Sequence, residues 1–178
     1  MKSTALVITL LLAFPTSEAL SQTATHTEFE ELCQIFAGRW IGDITWAADS
    51  PGFGKRGDRV TGHWDARMDI DGNVLVTKFH GGNGVSRGMR FYDPGAKQIR
   101  HVSVNSAGRT TDRIFWKENG EWRTRSTATA ADGKKVESNL TLVVSDGGET
   151  HSWRGTITKD GKETDKLGDT WRRVSRPR

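Results

Sequence analysis

The feature that most constrains the fold is a series of six turn signals in the second and larger part of the chain. Each signal is an Asp or Asn followed closely by Gly. Asp and Asn tolerate the left-handed backbone conformation and Gly prefers it, so these pairs favour tight hairpins. The signals are Asp71-Gly72, Asp93-Pro94-Gly95, Asn119-Gly120, Asp132-Gly133, Asp146-Gly147-Gly148 and Asp160-Gly161. Their regular recurrence predicts an antiparallel meander.

Between these turns, apolar and polar side chains alternate with the two-residue period of half-buried strands. In residues 58 to 70, for example, Val60 and Trp64 share one face while His63 and Asp65 lie on the other. The same alternation predicts ten strands, near residues 39–47, 58–70, 73–80, 87–93, 97–105, 109–117, 121–130, 135–144, 149–158 and 163–174.

The alternation also predicts which face of each strand points into the core. It places Met89 and Phe91 on the core face of the fourth strand, and Ile114 and Trp116 on the core face of the sixth. For His101 both directions stay open, because apolar residues occupy both faces of its strand.

Ten strands joined by short hairpins would leave two unpaired edges in an open sheet, and closure removes both. The fold class predicted is therefore all-β, a single antiparallel up-and-down β-barrel of about ten strands. Residues 27–37 carry apolar side chains at helical spacing, with Thr27 as N-cap, and predict a short helix able to cap one end. Two Gly-rich loops, residues 47–57 and 80–88, are expected to lie together at the entrance.

The N-terminus has the order of features found in a secretory signal peptide. Lys2 is followed by an apolar run at residues 6–14 and by the small-residue pattern that ends at Ala19. The run is much shorter than the roughly 20 residues that span a bilayer. We therefore expect export to the periplasm or the extracellular space after cleavage of residues 1–19, without stable membrane insertion. A mobile N-terminus is expected at residues 20–26 and the barrel domain at residues 27–176.

Charge and cysteine content narrow the functional classes. The net charge is +4, and the charged residues are spread along the strands instead of forming a basic block, so no nucleic-acid partner is predicted. The single cysteine, Cys33, allows no internal disulfide. It is expected to be buried beside Leu32 and Phe36 as a small apolar group.

The segment at residues 36–42, FAGRWIG, resembles the Gly-x-Trp start of the first strand in lipocalins and related calycin barrels. This resemblance implies that a short helix precedes the strand. It also implies that Trp40 packs across the closed end against an arginine of the last strand, here Arg172 or Arg173.

More of the chain is similar to a group of bacterial secreted barrel proteins. The similarity rests on Trp40-x-Gly42, on residues 88–93 (GMRFYD) and on residues 105–108 (NSAG). The chain departs from that group's opening motif at its first position, around Ile35-Phe36. The resemblance supports the fold more than any activity, since one barrel fold hosts many functions.

The most informative residues for function are the seven tryptophans, most of which fall on apolar strand faces. They either fill the core or line a cavity suited to a small apolar or aromatic molecule. We favour an exported binding barrel for such a molecule. The residues predicted to line it are Trp40, Trp64, Phe79, Met89, Trp116, His151 and Trp153.

No metal site is predicted, because no His-x-His, Cys-x-x-Cys or His-Glu-x-x-His spacing occurs. No catalytic residue is assigned and no cofactor is expected, but two alternatives stay open. A small barrel enzyme of the isomerase or cyclase type would need two inward polar groups, such as His151 with Asp169. The chain also resembles nitrobindin-like haem barrels, which implies haem ligation by His151, although it lacks their repeated glycines after Trp40.

Overall fold

The computed structural model describes residues 22–47, 49–50, 52–165 and 168–176. The predicted signal peptide lies outside the described residues. One helix, α1 (His26–Phe36), precedes the strands, and a single 3₁₀ turn, Asp146–Gly148, lies among them. The strands are β1 (Gly38–Thr45), β2 (Arg59–Asp69), β3 (Val74–Gly81), β4 (Gly84–Asp93), β5 (Gln98–Asn105), β6 (Thr110–Glu118), β7 (Glu121–Thr129), β8 (Lys135–Ser145), β9 (Thr150–Lys159), β10 (Lys162–Asp165) and β11 (Asp169–Ser175).

The strands form a closed antiparallel barrel. Each strand from β1 to β9 pairs with the next, and β11 lies between β9 and β1 and closes the ring. Strand β9 pairs with β11 near its start, at Thr150–Ser152, and with β10 near its end, at Thr156–Lys159. Because β10 and β11 share one position in the ring, the barrel has ten strands, which confirms the predicted fold class. The predicted last strand is divided into these two segments.

The hairpin turns have the backbone that their sequences predict. Both central residues of two turns have positive φ: 51° and 81° at Asn119-Gly120, and 51° and 74° at Asp160-Gly161. This is the geometry whose twist matches that of the flanking strands. The meander is therefore encoded locally at these turns.

The loop predicted at residues 80–88 is absent from the structure. Residues 80–88 do not form a flexible connection, because β3 continues to Gly81 and β4 begins at Gly84. The glycines here serve close packing: a Cβ atom on Gly82 would collide with the carbonyl oxygen of Phe53, and one on Gly84 with the Phe53 ring. The loop before β2 therefore folds down onto the β3–β4 turn, so the two Gly-rich segments lie at the same end, as predicted.

The helix begins two residues earlier than predicted. Its N-cap is Thr25, whose side chain accepts a hydrogen bond from the Glu28 backbone, while the Glu28 carboxylate accepts one from the Thr25 backbone at 2.7 Å. This reciprocal capping box satisfies two otherwise free N–H groups. Just before it, the Ala24 backbone donates to the Lys97 carbonyl at 2.8 Å, and Ala24 is buried.

The helix closes one end of the barrel, as expected. Its buried face belongs to one apolar cluster with inward residues of the strands. The helical members are Phe29, Leu32, Cys33 and Phe36, and the strand members are Ala66, Leu75, Ile99, Phe115, Trp122 and Leu142. The predicted burial of Cys33 is confirmed. Burial also raises the pKa of its thiol to about 11.

The predicted contact between Trp40 and the last strand is made by Arg173. Its guanidinium carbon lies 4.1 Å from the centre of the Trp40 ring. Its terminal nitrogens donate to the carbonyl oxygens of Ile35 and Gly148, at 3.0 and 2.9 Å, and to that of Ala37. Arg172 points outward, 3.5 Å from the Asp43 carboxylate. Arg173 therefore ties α1, β1 and the β8–β9 connection together.

No helix in the described part of the chain is long and apolar enough to cross a membrane.

Candidate ligand-binding cavity

The end of the barrel away from α1 contains a cavity of about 280 Å³. One side of it is formed by β1, β2, β3, β9 and β11 and is mostly aromatic. We call this side the aromatic wall; it consists of Trp46, Trp64, Phe79, Trp153 and Trp171. Within it, the ring of Trp171 lies edge-on to those of Trp64 and Phe79, with centroids 6.1 and 6.0 Å apart.

The opposite side of the interior is formed by β4 to β8 and is polar. One row of directly paired residues crosses these strands: Arg90 pairs with His101, His101 with Arg113, Arg113 with Ser126, and Ser126 with Ser138. We call this row the polar belt. Directly paired residues place their Cβ atoms about 5 Å apart on the same face. All members except Arg90 line the cavity.

The belt lies between two rows of different character. The row towards the helix contains Tyr92, Ile99, Phe115, Thr124 and Leu140 and joins the apolar plug. The row towards the open end contains the smaller residues Gly88, Ser103, Thr111, Ala128 and Val136. Small side chains in that row leave the space that the cavity occupies, and Ser103, Thr111, Ala128 and Val136 of the row line it.

His101 lies in the middle of the belt, and its Nδ1 atom has no hydrogen-bond partner among the described residues. The side chain is 6% exposed. Burial, together with the charges of Arg90 and Arg113, holds its pKa well below the usual value. The imidazole is therefore neutral at physiological pH and can donate one hydrogen bond and accept another.

Two arginines of the belt are held against aromatic rings. The guanidinium of Arg90 is sandwiched between Phe36 and Phe115, at 4.3 and 4.4 Å from the ring centres. That of Arg113 lies 5.9 Å from the ring centre of Trp153. Burial lowers the pKa of Arg90 to about 9 and that of Arg113 to about 10, so both are charged at neutral pH. The Nε atoms of both have no hydrogen-bond partner in the described chain.

The charges that line the cavity do not balance. Arg109 and Arg113 are the lining cations, and Asp169 is the lining carboxylate. Asp169 accepts a hydrogen bond from the Trp153 backbone at 3.1 Å, and its charge raises the pKa of Arg113. With His101 neutral, two positive charges face one negative charge, and Arg90 adds a third positive charge behind the lining.

The two serines of the belt form a hydrogen bond with each other, which uses part of the hydrogen-bonding capacity of the belt. Ser126 Oγ and Ser138 Oγ are 2.7 Å apart, and both residues are buried. A hydroxyl that donates to its neighbour leaves the neighbour's proton available for another acceptor. The pair therefore presents one free donor to the cavity.

The entrance is partly covered by the connection between β1 and β2. Phe53 is buried there, its ring stacked on Phe79 at 5.5 Å and tilted against Trp46 at the same distance. On the opposite side Ala128 and Val136 line the cavity and are only half-buried. Access to solvent is therefore expected beside β7 and β8.

Three of the residues predicted to line a cavity do so: Trp64, Phe79 and Trp153. Trp40 and His151 are buried but do not line it. The His151 ring lies 4.5 Å from that of Trp40 and 5.1 Å from that of Phe36. Asp169 lines the cavity and His151 does not, so the structure does not bring these two residues together in this cavity.

The predicted direction of Met89 and Trp116 is wrong. Met89 is 48% exposed, because its neighbour Arg90 is the residue that points inward. On β6, Phe115 is fully buried and Trp116, its neighbour, lies on the other face. The prediction assigns the apolar residues of an alternating strand to the core face. On β4 and β6, however, the charged residues Arg90 and Arg113 of the polar belt point inward, and Met89 and Trp116 lie on the outer face.

The polar belt itself was missed. One signal was present for Ser138, which has the same parity as the apolar residues Leu140 and Leu142 of its strand. No such signal existed for Arg90 or Arg113, since a charged residue in an alternating segment normally marks the solvent face. For His101 the open question is resolved: it faces inward.

The geometry defines a class of protein: a closed ten-stranded antiparallel barrel with a helical plug, consistent with the calycin barrels. No family model matches the chain, and no curated protein is significantly similar to it in sequence. Within the described residues, no group of three or more His, Cys, Asp or Glu side chains is placed to hold a metal ion.

Proposed function

We propose that this protein is an exported binding barrel for a small molecule with an apolar or aromatic body. The observation that carries the proposal is the cavity between the aromatic wall and the polar belt. Such a combination of apolar surface with a few polar groups is typical of small-molecule sites. Export is inferred from the signal-peptide pattern at residues 1–19 and from the resemblance of sequence motifs to those of bacterial secreted barrels.

The energetic cost of the polar belt supports a role in binding. A buried polar group without a partner costs about 1 to 3 kcal/mol. In the described chain His101 Nδ1 and Arg113 Nε of the belt are buried without one, as is the Nε atom of Arg109 in the same cavity lining. A barrel interior that served only as a core would be more stable with apolar residues in these places.

The size of the cavity limits the ligand. At about 280 Å³ it is close to the lower end of typical ligand pockets, roughly 300 to 1,000 Å³. It suits a compact molecule of about two fused rings better than a long lipid chain. The tryptophans of the aromatic wall offer flat faces and edges to such a body.

Binding is tested by titrating the mature protein with N-phenyl-1-naphthylamine, a neutral dye whose fluorescence rises in apolar surroundings. We expect saturable binding and quenching of tryptophan emission. The variant Ala128→Trp fills the cavity and is expected to abolish both signals. Its control is Thr127→Trp, the adjacent position on the outer face, which is expected to bind normally. Equal binding by Ala128→Trp would place the site elsewhere, and absence of binding would contradict the proposal.

A further inference from the structure

We propose that the ligand carries a carboxylate and that Arg113 binds it, with Arg109 adding positive charge at the same cavity. This inference rests on the proposed binding function and names the chemical class of its ligand: a compact aromatic carboxylate.

The first step of the argument is the charge of the cavity. Its lining contains Arg109 and Arg113 against the single carboxylate of Asp169, and Arg90 lies next to His101 in the belt. One wall is aromatic and the Arg113 Nε atom is buried, so solvent screens this charge less than it would at the surface. An excess of buried positive charge is costly unless an anion compensates it. A ligand carboxylate would supply that compensation.

The second step is the availability of donors. Arg113 Nε and Arg109 Nε are buried and make no hydrogen bond within the described residues. The terminal nitrogens of Arg173 are used by the fold, since they donate to three backbone carbonyl oxygens, although its Nε also lacks a hydrogen-bond partner in the described chain. A guanidinium has five N–H donors in a fork that matches the two oxygens of a carboxylate.

The third step is orientation. Arg113 lies in the polar belt with His101 on one side and Ser126 on the other, and both of these side chains can donate a hydrogen bond to a bound carboxylate. The Trp153 ring beside the Arg113 guanidinium belongs to the aromatic wall. A carboxylate attached directly to an aromatic ring would therefore meet the arginine while its ring meets the wall.

The test compares two nearly isosteric competitors, 2-naphthoate and 2-naphthamide, which differ in charge. Each displaces N-phenyl-1-naphthylamine from the wild-type protein, and we expect the carboxylate to bind about tenfold or more tightly than the amide. In Arg113→Met the preference is expected to disappear while the amide binds as before. Arg113→Lys should keep part of the preference, because it keeps the charge but not the fork.

The control variant is Arg125→Met, which removes one positive charge from an exposed position on β7. It should leave the preference for naphthoate unchanged. Retained affinity for the amide shows that each variant is folded.

The outcomes separate the two proposals. If naphthoate and naphthamide compete equally well, the carboxylate inference is wrong and the binding function stands. The inference is also wrong if Arg113→Met retains the preference. If the neutral dye does not bind, calorimetric titration with each naphthalene compound decides directly: no heat from naphthoate would overturn both proposals.

Discussion

Arg173 and Arg113 belong to opposite halves of the barrel and differ in how their guanidinium donors are used. Arg173, at the plugged end, donates to three backbone carbonyl oxygens and stacks on Trp40. The Nε atoms of both arginines are buried without a hydrogen-bond partner in the described chain, but Arg113, at the open end, lines the cavity. Arg173 uses its N–H donors to join elements of the fold. The guanidinium of Arg113 instead lines a cavity.

This difference indicates that stability and binding are located in separate halves of one small barrel. The plugged half has an apolar cluster between helix and strands, so its substitutions should change the free energy of unfolding. The open half keeps polar groups that do not stabilise the fold, so its substitutions should change binding. Four expected outcomes test this division.

The largest effect is expected for Arg173→Ala. It removes hydrogen bonds to three carbonyl oxygens and the contact with Trp40, and we expect a loss of about 4 kcal/mol in the free energy of unfolding. The control is Arg172→Ala, whose exposed pair with Asp43 should contribute less than about 1 kcal/mol. Urea denaturation measures both, and similar losses would contradict the assigned role of Arg173.

A second comparison uses apolar truncations in the two halves. Leu32→Ala in the plug removes a fully buried side chain and should cost about 3 kcal/mol. Val136→Ala, at the half-buried lining of the cavity, should cost about 1 kcal/mol because the lost contacts are fewer. Thermal or urea unfolding decides the order, and an equal cost would remove the energetic distinction between the halves.

The pH dependence of stability provides a third test, with one histidine in each half. Burial, together with the charges of Arg173 and Arg90, lowers the pKa of His151 to about 3, and the pKa of His101 is also well below its usual value. The unfolded chain therefore takes up protons below about pH 6.5 that the native state does not, and stability falls as the pH falls.

From pH 6.5 to 5.5 each histidine should reduce the free energy of unfolding by about 1 kcal/mol, or about 2 kcal/mol together. In each of the variants His151→Phe and His101→Gln, the decrease in the free energy of unfolding over this pH range should be half as large as in the wild type. Urea unfolding at the two pH values measures it. A wild-type stability that does not change over this range would show that neither imidazole is kept neutral.

The smallest expected change in stability is that of Arg113→Met. Replacing a buried charge by an apolar side chain is often neutral or stabilising, and we expect a gain of 0 to about 1 kcal/mol. The backbone hydrogen bond from Trp153 to Asp169 remains available to hold that carboxylate. A loss comparable to that of Arg173→Ala would show that both arginines serve the fold.

The cavity illustrates how far local patterns predict a site. The parity of β2, β3 and β9 correctly predicted that Trp64, Phe79 and Trp153 face inward, since apolar residues there alternate with polar ones. On β4 and β6 the same rule failed for Met89 and Trp116. Alternation identifies two faces, but their direction depends on what the opposite wall and the helix present.

Arg90 shows the physical reason. Its inward position is stabilised by the rings of Phe36 and Phe115, which come from the helix and from another strand. Neither ring is near Arg90 in the sequence. A charged residue at this position favours the solvent face until those rings are in place, so local reasoning assigned it outward.

The sequence by itself determined the turns, the strand count and the presence of the helix. These depend on backbone preferences at Asn-Gly and Asp-Gly pairs and on short-range apolar spacing, which are local. The contact of Trp40 with a terminal arginine was implied by the resemblance of residues 36–42 to calycin barrels. Only the tertiary structure decided that Arg90, His101, Arg113, Ser126 and Ser138 form one row opposite an aromatic wall. The hairpin turns set the register between these five strands, but which face of each strand points inward is decided only when the barrel closes around its helical plug.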